Sequence, residues 1–161
     1  MALTQKIFTF LIIPVAVVIL LVINAWYVAD NYLGQESSMA QYNASIELDS
    51  NDIEANTGEV IKVDLNVRNE GTITWLSSTN EGIFLSHRIK SQFSDRYIIE
   101  GDRIPFPEAV KPGDSLDMSI LIDVPPESGI YHVSIDIVHE SVTWFEDVGS
   151  EVGIIKLNAV N

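Results

Sequence analysis

There is no cysteine in the 161 residues of this chain. That removes disulfides, thiol nucleophiles, iron–sulfur clusters, Cys-based zinc sites and a lipid-modified N-terminal cysteine at once. Positive charge is scarce as well: nine Lys and Arg stand against 23 Asp and Glu, a net charge of −14. So acidic a surface repels nucleic acid and anionic lipid headgroups and attracts cationic proteins or divalent ions. No G-x-S-x-G, P-loop or H-E-x-x-H motif occurs, which leaves acyl transfer, nucleotide binding and zinc proteolysis without their usual signatures. Internal repeats and low-complexity segments are also missing. Nothing beyond Ala44 has the 3.6-residue apolar period of an amphipathic helix.

What is present begins with one apolar run. Residues Ile7 to Val28 carry no charged side chain. At about 1.5 Å per residue this stretch reaches about 33 Å as a helix, enough to cross a hydrocarbon core of about 30 Å. A cleaved secretory signal is the competing reading, but the run exceeds the usual 7–15 apolar residues. Its candidate cleavage positions, Ile23-Asn24-Ala25 and Tyr27-Val28-Ala29, also carry bulky residues where small ones are needed. Trp26, Tyr27 and Tyr32 fit an aromatic belt at headgroup depth. Lys6 precedes the run while Asp30 and Glu36 follow it, which places the N-terminus in the cytoplasm and the rest outside.

The expected organisation is a cytoplasmic N-terminus at 1–6, a transmembrane helix at 7–28, a tether at 29–44 and an extracytoplasmic domain at 45–161. All 23 acidic residues and eight of the nine basic ones lie beyond Val28, leaving that part at about −15. A domain of this size can bury a core without covalent staples.

Period two dominates from Ser45 onward. Ile61, Val63, Leu65 and Val67 alternate with Lys62, Asp64, Asn66 and Arg68, the pattern of a half-buried strand. Leu116, Met118, Ile120, Ile122 and Val124 repeat it, as do Tyr131, Val133, Ile135 and Ile137. Weaker strands are expected at 45–48, 72–76, 83–89, 97–100, 142–145 and 152–160. Turn chemistry separates them: Asn56-Thr57-Gly58, Asn69-Glu70-Gly71, Asn80-Glu81-Gly82, Pro112-Gly113 and Ser128-Gly129. Seven to nine short antiparallel strands at this spacing imply an all-β sandwich of immunoglobulin type.

The order Asn69-x-Gly71, Trp75, Leu85-Ser86-His87, Gly101-x-Arg103-x-Pro105, Pro112-Gly113, Gly129-x-Tyr131 and Asp136-x-Val138-x-Glu140-x-x-x-Trp144-Phe145 carries a resemblance. It resembles the immunoglobulin-like accessory domain appended to bacterial glycosyltransferases, methyltransferases and membrane proteins. That domain is similar to the polysaccharide-binding sandwich of O-antigen exporters. The resemblance spans about Glu59 to Gly149 and implies a fold more than a ligand. One departure is Ser141, where the resemblance implies glycine.

Four residues stand out as contact candidates: Trp75, Trp144, Phe145 and His87. Tryptophan and phenylalanine supply stacking platforms for sugars and anchors at protein interfaces. The alternative for Trp75 is a core pin, and neighbours such as Trp144 and Phe145 must face opposite sides of a strand. His87, His132 and His139 read as structural histidines, with a His87–Glu140 hydrogen bond as the natural guess. Asp49, Asp52 and Glu54 read as a solvated acidic loop, with calcium as the minor alternative. No cofactor is implied. The expectation is therefore a non-catalytic single-pass subunit of a larger membrane complex, contacting the bilayer and other transmembrane subunits. A glycan-binding module is the alternative, and an acidic docking site for a cationic soluble protein comes third.

Overall fold

The computed structural model describes residues 2–77 and 82–161. One helix, α1 (Ala2–Gln41), precedes ten strands among the described residues. These are β1 (Ala44–Leu48), β2 (Asp52–Asn56), β3 (Val60–Asn69), β4 (Ile83–Ser91), β5 (Ile99–Glu100), β6 (Ile104–Pro105), β7 (Ser115–Asp123), β8 (Gly129–His139), β9 (Thr143–Trp144) and β10 (Gly153–Val160). A 3-10 turn at Glu146–Val148 lies between the last two. The chain divides into two compact units, Met1–Ser37 and Ser38–Asn161.

In the first unit, Val17–Gly34 is long and apolar enough to cross a membrane, a property shared with N-terminal signal sequences. Its side chains are exposed, Val17, Leu20 and Val28 among them. The part of the expected span before Val17 lies outside the described side chains. The tether expected at 29–44 is helical as far as Gln41. Gln, Glu, Ser, Met and Ala there lack an apolar period but do not oppose a helix, whose reach hydropathy alone does not mark.

The second unit is built from two sheets. One has the order β1-β3-β7, the other β2-β10-β8-β4-β5, with β6 paired to β4 and β9 to β8. Both sheets turn one face inward: Val63, Leu65, Val67, Ile120 and Ile122 from the first join Leu85, Ile89, Val133, Ile135, Ile137, Ile155 and Leu157 from the second in one cluster. Each such buried aliphatic side chain favours folding by about 1.5–3 kcal/mol.

Three expectations are corrected here. Strand pairing is not wholly antiparallel, because β2 runs parallel to β10, Asp52 opposite Lys156 and Asn56 opposite Val160. The acidic stretch is mostly strand rather than loop, and its carboxylates meet cross-strand partners: Asp52 pairs with Lys156 at 3.1 Å and Glu54 accepts from Asn158 at 2.8 Å. Residues 72–76, expected as a strand, make only an isolated bridge between Trp75 and Val110.

Asn69 and Gly71 show why the first turn motif is built as it is. Asn69 is buried; its Nδ2 donates to the carbonyls of Ile73 (2.8 Å) and Val110 (2.9 Å), and its Oδ1 accepts from the amide of Gly71 (3.0 Å). Gly71 lies against the backbone, where a Cβ would stand 2.2 Å from the Gln41 carbonyl oxygen. Close approach, not positive φ, requires glycine there. The Asn80-Glu81 turn lies outside the described residues.

Candidate functional site

The register of β4 on β8 sorts their side chains. Leu85, His87 and Ile89 share the core side with Ile137, Ile135 and Val133, so Ser86, Arg88, Ser134 and Asp136 occupy the other face. That face is covered by the segment 97–103 and by 140–148. Between sheet and cover lies a layer of ionisable and aromatic groups.

Arg88 is its centre. The rings of Tyr97 and Trp144 each lie 4.3 Å from its Cζ, a distance at which a guanidinium is attracted to the π-face. Its Nη2 donates to Glu146 at 2.6 Å, with Asp147 at 3.4 Å and Asp136 at 3.8 Å. Its Nε is buried without a partner among the described residues. Tyr97 donates its hydroxyl to Glu146 at 2.7 Å, and burial raises its pKa. Arg103 lies 4.9 Å from the Trp144 ring centre. It donates to Glu140 at 2.6 Å, to Ser86 at 3.2 Å, to the Gly101 carbonyl at 3.1 Å and to Glu100.

Asp136 sits beneath this layer with no exposed surface. It accepts the amides of Ile137 (2.7 Å) and Glu146 (3.1 Å). Burial pushes its pKa up to about 7, against the opposing pull of those two amides and of Arg88. The Glu146 amide ties the 3-10 turn to β8, so Asp136 positions the carboxylates that hold Arg88.

The contact candidates divide. Trp75 is buried, its ring centre 5.3 Å from Phe106 and 5.8 Å from Phe145. Phe145 is buried too and packs edge-on to Tyr42 at 5.2 Å. Neither presents a surface, because both fall on the core side of their segments. Trp144 faces the opposite way and is half-buried beneath two guanidinium groups. His87 is buried on the core side, where burial lowers its pKa. The expected His87–Glu140 bond is not made: Glu140 takes Arg103, and His87 Nδ1 has no partner among the described residues. The three histidines are spread along the sheet, His139 bonding the Tyr42 hydroxyl at 3.1 Å. Trp26, Tyr27 and Tyr32 are exposed on α1.

Arg88, Tyr97 and Glu146 were not singled out by sequence. The available signal was Ser134 and Asp136 inside the apolar run of β8: polar residues in the middle of a sheet require partners. What covers them depends on loops whose path has no period.

No family model and no curated protein matches the chain. Among solved structures, a β-glucosidase from Listeria innocua is 13% identical with a TM-score of 0.41, and covers 73% of this chain. The same enzyme in complex with glucose gives 13% and 0.39. This chain spans 16% of that enzyme's length. A likeness of this extent bears on neither activity nor substrate.

Proposed function

We propose that the chain is a non-catalytic, single-pass accessory subunit of a larger membrane complex, with an immunoglobulin-like sandwich outside the cytoplasmic membrane. The observation that carries this reading is the stretch from Val17 to Leu33. Its valines, leucines and isoleucines expose 45% or more of their surface, a run that suits lipid or neighbouring helices as its cover. Trp26, Tyr27 and Tyr32 mark the interface, and the flanking charges set the N-terminus inside. The two-sheet order, with its interior β8 and β10, supports the sandwich. Arg88 and Arg103 are held by carboxylates of the same domain, which suits a scaffold rather than a reaction centre. The glycan-binding alternative draws less support, since Trp75 and Phe145 are interior and Trp144 already stacks on Arg88 and Arg103.

Purification from native membranes in mild detergent tests the proposal. Other integral membrane proteins should co-migrate with the chain in stoichiometric amounts. A strictly monomeric chain would sink it.

A further inference from the structure

The strand β7 is a rim of the three-stranded sheet, paired among the described residues with β3 alone. Its register runs from Val60 opposite Asp123 to Arg68 opposite Ser115. At the two ends the Val124 amide donates to Glu59 at 2.8 Å and the Asn69 amide to Asp114 at 3.0 Å. Bonded and non-bonded pairs alternate in an antiparallel ladder. Leu116, Met118, Ile120 and Ile122 therefore spend their amides and carbonyls on β3. Ser115, Asp117, Ser119, Leu121 and Asp123 turn theirs to the open side.

Natural sheet edges are blunted by proline, lysine, bulges or short length. This one has none of those over nine residues, SLDMSILID. Its charges are aspartates, and they continue a wider acidic face. Glu47, Asp49, Asp64 and Asp117 line a groove of about 670 Å³ across β1, β3 and β7. Lys62 sits on Asp64 at 2.6 Å and Arg68 lies 3.9 Å from Glu70. Glu47, Asp49 and Asp123 make no ion pair among the described residues.

We propose that β7 accepts, as an added strand, an extended segment of a partner protein carrying lysine or arginine at alternate positions. Main-chain hydrogen bonds to the five open residues supply the docking, and the basic side chains lie beside Asp117 and Asp123. A second copy of this chain is the poorer occupant, because β7 carries no basic residue and each copy brings a net charge of −14. The proposal rests on the accessory-subunit reading and specifies the partner's chemistry.

Hydrogen exchange on the full chain in lipid nanodiscs tests it, with a nine-residue peptide of alternating lysine and valine as probe. In the free chain the amides of Ser115, Asp117, Ser119, Leu121 and Asp123 should exchange fast and those of Met118 and Ile120 slowly. The peptide should slow the first set at least about tenfold, and less so as salt rises. The double substitution Asp117→Lys with Asp123→Lys should weaken the peptide about tenfold while Met118 and Ile120 stay protected, which shows that the fold is kept. Three results overturn the proposal: no protection, equal protection by a glutamate–valine peptide, or protection already present without peptide. Co-purification is read separately, so a chain that brings down partners but ignores the peptide loses its rim site and keeps its subunit role.

Discussion

Ser141 is the residue at which the sequence pattern and the backbone meet most directly. It follows Glu140, where the resemblance implies glycine, and it adopts φ 62°. That left-handed conformation costs a non-glycine residue about 1–2 kcal/mol. Its side chain is exposed, so Ser141→Gly should stabilise the domain by up to about 1 kcal/mol, measured by chemical unfolding, after glycine's own entropy is counted. Asp136 makes a different prediction. Its pKa in the folded chain is about 7 against an ordinary 3.8, so between those values the folded chain holds a proton that the unfolded chain has released. This group's contribution therefore falls as pH rises from about 4 to 7 and is least favourable above that window. The slope is at most about 1.4 kcal/mol per pH unit. Asp136→Asn should flatten that slope in unfolding curves taken from pH 5 to 8, although the amide replaces one of two acceptors.

Single elements show where physical reasoning from sequence works and where it stops. The strands β3 and β7 are legible because one side of each is buried, and period two records that fact residue by residue; β8 keeps the alternation of apolar and polar residues although both its sides are buried from Val133 to Val138. β2 is not: Asp52 and Glu54 face water, Ala55 is its one fully buried residue, and acid-rich stretches read as loops. Residues 72–76 fail the other way, since Thr72, Ile73 and Trp75 have strand character but only Trp75 is paired, in an isolated bridge to Val110. The same limit applies to the site. Trp144 and Phe145 face apart on any strand, yet which one is inside is set by the pairing of Val138 with Trp144, a matter of hairpin register that the sequence does not mark. At the Asn69-Glu70-Gly71 corner the requirement is spatial. Gly71→Ala places a methyl group against the Gln41 and Asn43 backbone and should destabilise the domain by about 1–3 kcal/mol. A thermal melt should shift down, whereas Gly58→Ala, with open space around it, suffers only its φ of 73°.

At the scale of the molecule, an apolar helix and a strongly acidic β-unit belong to one chain and make opposite demands on solvent. A chain that keeps Val17–Gly34 should stay in the pellet when membranes are washed with alkaline carbonate; release into the supernatant would mean that the span has been removed or never inserted. Sheet order adds a temporal constraint. The strand β10 is last in sequence but lies between β2 and β8, its residues Ile155 and Leu157 fully buried. Until that segment has been synthesised, β2 has no neighbour and β8 lacks one side of its ladder. At ribosomal speeds of about 5–20 residues per second, the helix emerges several seconds before the β-unit can close. The polypeptide therefore leaves the ribosome as an open chain, and any factor that guards it in the meantime meets unpaired strands rather than a finished surface.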